Sequence, residues 1–324
     1  MNACGETALY TTRFALMGGG ASVEFVAGGG RPRAEKIARD VEAEARRIET
    51  KFSRYRESSV ISEINRNAGR TPVAVDEETD ALVGEALALA RDTEGRFDPT
   101  VGPLRRAWDF KGGRVPGDEE IDALLPLVGA DRVSRRNRTI FLRREGMEID
   151  LGGVGKEYAV DRAAAILRRE GIAAAIVNFA GDVRILGSRA DGRPWSVGVR
   201  DPRRPGEIRF TVRVVGGAGI ATSGDYERCF VRDGVRYHHI LDATTGRPAR
   251  GIASATVVAA TAFTAGRFAT AAFLLGPEKG LALLDSARGI EGALITEEGV
   301  ILATAGMANL SDLPEGAYAS LPAL

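Results

Sequence analysis

Ile149-Asp150-Leu151-Gly152-Gly153-Val154-Gly155-Lys156, continued by Glu157–Glu170, Gly171 and Ile172–Phe179, is the stretch on which the reading of the fold turns. Ile149–Leu151 ends a strand, and three glycines in four residues then make a tight loop. Lys156–Glu170 follows as a helix with Val160, Ala164 and Leu167 on its inner face. Gly171 stands at its C-terminal cap, and Ile172–Phe179 is a buried strand. A loop of this kind before a helix offers backbone N–H groups and the positive end of the helix dipole to a phosphate. It matches neither the Walker lysine loop nor the G-x-G-x-x-G fingerprint, so a phosphate site and a plain tight turn both stand at this point.

Outward from this unit, strands and helices are mixed. On the N-terminal side, Phe14–Ala27 reads as a strand pair or a bulged strand around Gly18–Gly20. Ile37, Val41, Ala45, Ile48 and Phe52 mark one face of a helix beginning near Ala34. Glu78–Thr93 predicts a second helix stopped by Gly95, and Asp118–Leu127 a short third one. Thr139–Asp150 predicts two strands around Glu145-Gly146. On the C-terminal side, Ile208, Phe210, Val212 and Val214 alternate as a half-buried strand does. Cys229–Leu241 predicts a hairpin turning at Asp233-Gly234. Ala255–Ala260 predicts a strand, Thr264–Leu275 a helix ended by Gly276-Pro277, and Ala293–Thr304 a closing hairpin. With several hairpins and no repeat or linker, the class is α+β rather than a doubly wound parallel sheet. Residues 8–306 are expected as one domain, and 307–324 as a loose C-terminal tail.

The 324 residues carry 44 Lys plus Arg against 44 Asp plus Glu. That zero balance gives no electrostatic footprint for nucleic acid. The longest apolar stretches, Ile172–Phe179 and Ala253–Ala262, are far shorter than the roughly 20 residues of a membrane span. Met1–Thr12 has no basic stretch followed by an apolar run, so the cytoplasm is the default expectation, with the periplasm open if a leader has been removed. Two cysteines build neither a disulfide framework nor a cysteine metal site: Cys4 reads as an ordinary thiol and Cys229 as a buried strand residue. Nothing in the sequence points to an oligomeric state.

Three further segments have the composition of a site. Thr222-Ser223-Gly224-Asp225-Tyr226 is either a place where small residues let a ligand approach or a polar turn before a strand. His238 and His239 are neighbours on a predicted strand, so at most one faces a given site. Asp242, Thr244, Thr245 and Gly246 follow, a setting that suits proton transfer as well as structural hydrogen bonding. Arg96-Phe97-Asp98-Pro99-Thr100-Val101-Gly102-Pro103 is stiffened by its prolines, and reads as a rigid ligand loop or as a stiff connector.

Taken together and in order, these segments resemble the FAD:protein FMN transferase (ApbE-like) family over about residues 14–304. The resemblance rests on Phe52-Ser53-Arg54-Tyr55 with Ser58, Ser59 and Asn65, on Thr93…Phe97-Asp98-Pro99-Thr100…Trp108, and on Asp150-Leu151-Gly152-Gly153…Lys156…Asp161. It rests further on Asn178…Gly181-Asp182…Gly187, Thr222–Tyr226 and His239-Ile240-Leu241-Asp242…Thr245-Gly246. It implies a T-fold-like α+β core with mixed or antiparallel sheets and packed helices, plus a smaller lobe, the two lobes intimate and FAD between them. Flavin contacts are implied for Met17, Tyr55, Arg96, Phe97, Asp98, Asp150, Lys156, Ser223 and Ile240. The implied reaction moves FMN from FAD, with magnesium on the diphosphate, to a Thr or Ser hydroxyl of a target flavoprotein, and AMP leaves. His239 is implied as the proton acceptor, with Asp225 or Asp242 orienting it, and Gly153 and Thr270 as metal ligands.

Against the family pattern Ala-Asp-x-x-x-Thr, this chain has Ala265-Gly266-Arg267-Phe268-Ala269-Thr270, so a glycine stands where the metal carboxylate is expected. Glu157 replaces a family glycine and Ala243 a proline, neither of which is expected to touch the chemistry. Magnesium prefers charged oxygen ligands. The expectation is therefore an ion held weakly and largely by FAD, charge supplied by Arg267 instead, or FAD binding with slow or no transfer. FAD hydrolysis to FMN and AMP is a further alternative. A carboxylate restored at 266 is expected to raise metal affinity.

Overall fold

The computed structural model describes residues 7–189, 191–313 and 318–319. Cys4, read above as an ordinary thiol, lies outside them. A nine-stranded sheet forms the frame. From one edge its strands are Ala8–Leu16, Gly19–Ala27, Ala175–Phe179, Asp182–Leu186, Ala218–Gly224, Ile252–Ala259, Glu291–Thr296, Ile301–Ala303 and Tyr318–Ala319. Each neighbouring pair is antiparallel except the last. The chain is thus α+β, built on a mainly antiparallel sheet, as expected.

Helices cover one face. The Gly30–Phe52 helix turns Ile37, Val41, Ala45, Ile48 and Phe52 inward, the stripe its periodicity predicts. Burying a side chain such as Ile37 or Phe52 contributes roughly 1.5–3 kcal/mol before entropy is counted. The helices Gly155–Arg169, Ala262–Leu275 and Pro277–Ser286 pack beside it. A hairpin of Trp195–Arg200 and Ile208–Val214 covers the other face, over Val183, Ile185, Ile220 and Ile295. With both faces covered, the Ile252–Ala259 strand is buried at every position. A small separate core of Leu104, Trp108, Ile121, Val128, Leu241 and Ala243 sits beside the main one, and Trp108 Nε1 donates to the Gly246 carbonyl.

Four expectations need correction. The hairpin near residue 140 pairs Val133–Arg136 with Thr139–Leu142 around Asn137 and Arg138, not around Glu145-Gly146. Both turn residues adopt positive φ, a conformation less often seen outside glycine, and this hid the turn. Of Thr222–Tyr226, Thr222–Gly224 ends a central strand, and only Asp225-Tyr226 form the turn before the Cys229–Arg232 strand. The chain after Gly306 is not wholly loose: Ala305–Leu310 is a helix that buries Met307, and Tyr318–Ala319 joins the sheet edge. Cys229 begins the predicted hairpin strand but is only half-buried.

Candidate active site

The loop Leu151–Val154 is closed by backbone hydrogen bonds from Val154 and Gly155 N–H to the Leu151 carbonyl, and it feeds directly into the Gly155–Arg169 helix. Asp150 Oδ1 accepts from Gly152 N–H at 2.8 Å. Phe97 packs over the loop so closely that a Cβ on Gly153 would lie 2.7 Å from its ring. Glycine at 153 is therefore required by the ring above it. The loop, the Phe97 segment, the end of the Ala218–Gly224 strand and the Ala262–Leu275 helix enclose a pocket of about 150 Å3. Phe97, Asp98, Asp150, Gly153, Lys156, Ser223, His239, Ile240 and Thr270 all line it, segments far apart in sequence brought to one place. Small-molecule sites usually enclose about 300–1,000 Å3. A dinucleotide therefore has to extend beyond the pocket, and a cleft of about 620 Å3 sharing Asp98 adjoins it.

Not every expected contact is here. Tyr55 is 76% exposed on a separate cleft with Arg54, Ser58 and Asn65. Met17 occupies the positive-φ turn of the first hairpin, its N–H bonded to Glu49. Arg96 lies outside the pocket lining and pairs with Asp242 at 2.7 Å.

The two histidines divide as strand neighbours must. His238 points into the core, its Nε2 2.9 Å from the Ala249 carbonyl oxygen and its ring edge-on to Phe273. His239 faces the pocket, and its Nδ1 has no partner. Burial lowers the His239 pKa to about 3, helped by the charges of Arg105 and Arg228, so the ring is neutral at ordinary pH.

Neither acid expected to orient His239 does so. Asp225 spends both oxygens on Arg203, at 2.7 and 2.8 Å. Asp242 spends one on Arg96 and the other on the Thr244 N–H and hydroxyl. Asp98 is likewise consumed by Thr100 and the Ala130 N–H. These carboxylates hold the walls in shape.

Charge inside the pocket is arranged around the glycine loop. Lys156 Nζ lies 2.6 Å from Asp182; burial alone would lower its pKa, but Asp182 and Glu157 hold it above the ordinary value. Arg105, which the sequence reading did not single out, sits 2.7 Å from Asp150. Burial opposes ionisation of Asp150, yet Arg105 and Arg54 outweigh it and lower its pKa. Thr270 and Ser223 share a hydroxyl hydrogen bond of 3.1 Å.

Glu157 was also missed. Its side chain is buried in the pocket wall, and Oε2 has no hydrogen-bond partner. Burial and the neighbouring Asp182 carboxylate push its pKa up. A Cβ on Gly266 would fall 2.9 Å from Glu157 Cδ and 3.0 Å from Oε1. The glutamate thus occupies the space beside Gly266 and lines the pocket that the expectation kept it clear of. Arg267 does not supply charge here: it turns away to pair with Glu85 and with Asp92 at 2.9 Å.

Residues 17–294 match the ApbE family. The chain belongs to the ApbE family. Among its relatives is the FAD:protein FMN transferase of Vibrio cholerae serotype O1, 32% identical over 275 residues, which are 83% of this chain and 82% of that protein. The crystal structure of the ApbE protein from Thermotoga maritima superposes with a TM-score of 0.83 at 38% identity, covering 94% of this chain and 99% of that one. The Pseudomonas stutzeri flavinyl transferase ApbE gives 0.83 at 30% identity, covering 94% and 97%. Within this ApbE-family chain, no group of three or more His, Cys, Asp or Glu able to hold a metal ion occurs among the described residues. Gly153, Glu157 and Thr270 all line the pocket, and an oxygen set of one unpartnered carboxylate oxygen, one hydroxyl shared with Ser223 and one backbone carbonyl is of the kind that suits a hard cation bringing further oxygen ligands of its own. No helix among the described residues is long and apolar enough to cross a membrane.

Proposed function

We propose that this chain is an FAD:protein FMN transferase: it binds FAD across the glycine loop and moves FMN onto a Thr or Ser hydroxyl of a target flavoprotein, with AMP leaving. The observation that carries the reading is the convergence of Phe97, Gly153, Lys156 and His239 on one pocket. Phe97 offers a flat apolar surface beside a loop that can approach a ligand only because residue 153 lacks a side chain. The first turn of the Gly155–Arg169 helix, with the Lys156 ammonium, faces the negative diphosphate.

His239, neutral and with a free Nδ1, accepts the proton of the acceptor hydroxyl. The hydroxyl oxygen forms a bond to the FMN-side phosphorus as the bond from that phosphorus to the AMP oxygen breaks. Lys156 and the helix terminus stabilise the charge carried by the phosphate oxygens, which is the main catalytic contribution in phosphoryl transfer. The Gly153 carbonyl and the Thr270 hydroxyl would hold magnesium. When bound there, the ion supplies neutralising charge to the diphosphate. Asp225 and Asp242 belong to the scaffold in this reading, because their oxygens are already used.

The test is incubation of the chain with FAD, Mg2+ and a domain bearing a flavinylation motif, followed by intact-mass measurement. Acceptor carrying an added FMN, with one AMP released per label, is the expected result. Nucleotide release without labelling would establish FAD hydrolysis instead. Tight FAD binding with neither product would leave a flavin-binding protein without transfer.

A further inference from the structure

Two departures from the family pattern lie against each other in the structure. Glu157 is in the first turn of the Gly155–Arg169 helix, just after the Gly153 loop, and Gly266 and Thr270 are one turn apart on the Ala262–Leu275 helix. The two helices pack together, and Glu157 crosses between them to lie over Gly266. The resemblance to the family put a carboxylate at 266 and a glycine at 157; this chain has the reverse. A side chain at both positions would collide, since the 266 Cβ falls on the Glu157 side chain. The two departures are therefore one exchange, and the carboxylate has moved from one helix to the other. Glutamate is one methylene longer than aspartate, which suits a group reaching across from a neighbouring helix.

We propose that Glu157 is the carboxylate that binds the magnesium ion associated with the FAD diphosphate, in the place that Gly266 leaves. Its Oε2 is buried, points into the pocket wall and has no partner in the protein. Of the nearby cations, Arg105 is paired with Asp150 and Arg267 with Glu85 and Asp92, while Lys156, 2.6 Å from Asp182, is the one whose charge also reaches Glu157. A buried carboxylate oxygen with no hydrogen-bond partner is unfavourable unless it coordinates a metal or binds a proton. Thr270, one turn from Gly266, contributes a hydroxyl beside it. With a single carboxylate among neutral donors, the ion is held well only when the diphosphate completes its shell. This role rests on the FAD reading above, and it corrects the expectation that aspartate at 266 strengthens metal binding. Placed there alone, aspartate meets Glu157.

The test uses the full chain saturated with FAD, with Mn2+ as the probe for magnesium, titrated by electron paramagnetic resonance. FAD affinity is measured separately without metal by flavin fluorescence. Glu157→Gln keeps the shape of the side chain and is expected to weaken Mn2+ at least about tenfold, or about 1.4 kcal/mol, with metal-free FAD affinity unchanged. Glu157→Gly is expected to weaken it similarly, and the double variant Glu157→Gly/Gly266→Asp to return it to within about threefold of wild type. Added Mn2+ with FAD raises the melting temperature of the wild type and of the double variant, and not of Glu157→Gln. Mn2+ affinity in Glu157→Gln within about twofold of wild type overturns the role. So does a double variant that binds no better than Glu157→Gly. A wild-type chain that binds no FAD overturns the reading beneath it as well, and the metal-free fluorescence separates that failure from the others.

Discussion

Asp225 and Asp242 stand behind the pocket wall, next to its residues Gly224 and Leu241, with every carboxylate oxygen engaged, to Arg203 in one case and to Arg96 and Thr244 in the other. Glu157 Oε2 and His239 Nδ1, on the inner wall, are buried with no partner. Leaving a buried polar atom unpaired costs about 1–3 kcal/mol, so a fold keeps such atoms where a ligand or a reaction supplies the missing partner. In the proposed mechanism the satisfied carboxylates hold the scaffold, and the unpartnered atoms that line the pocket act in it. A missing partner is not enough by itself: His238 Nδ1 is also buried without one, and it is the pocket-facing position of His239 that separates the two histidines.

The contrast is broken most severely at the histidines. His239→Ala is expected to lower FMN transfer by about 10²–10⁴-fold while FAD affinity, read by flavin fluorescence, stays close to wild type. His238→Ala should leave the rate nearly intact and lower the melting temperature, since it abandons the Ala249 carbonyl and the Phe273 contact. Full activity in His239→Ala would remove the proton-transfer role.

Next in size, Asp225→Ala leaves Arg203 without its bidentate partner and is expected to cost about 2–4 kcal/mol in urea unfolding. Its transfer rate per folded molecule should change little. A large loss of rate at unchanged stability would return Asp225 to the chemistry. Gly153→Ala forces the Phe97 ring to shift and should cost about 1–3 kcal/mol through overpacking, with weaker FAD binding measured in the same samples.

The smallest effect concerns Glu78, another fully engaged carboxylate, bonded by Arg47, Lys51 and Tyr158. Hydrogen bonding by Arg47, which outweighs burial, lowers its pKa to about 2 from the ordinary 4.5. A depressed folded-state pKa stabilises the fold above the unfolded value, and that stability is lost as pH falls toward the folded value. The stability gap between wild type and Glu78→Gln should therefore be full at about pH 7 and shrink as the pH drops from about 4.5 to 2. A gap that grows on acidification would contradict the assignment.

Much of this was legible before any coordinates. The stripe from Ile37 to Phe52 fixes a helix because five apolar residues share one face. The Gly152–Gly155 loop announces its geometry through composition alone. Thr222–Gly224 misled because hydroxyls and glycine are also turn residues; Gly224 sits in a strand, where a Cβ would strike the Tyr226 ring. The engagement of Asp225 and Asp242 was not legible, because their partners Arg203 and Arg96 lie 22 and 146 residues away. Arg105 carried no local signal, since its pairing with Asp150 exists only once the Phe97 loop folds onto the glycine loop. Glu157 and Gly266 were each visible as departures, but only the packing of two helices ties them together.

The central claim is that distant segments converge to hold one FAD molecule against His239. A crystal structure of the chain soaked with FAD and Mg2+ addresses it directly. The account predicts the diphosphate over Gly153 and Lys156, the flavin against Phe97, and His239 Nδ1 or Nε2 facing the FMN-side phosphorus. FAD bound elsewhere, with Phe97, Lys156 and His239 untouched, would contradict it.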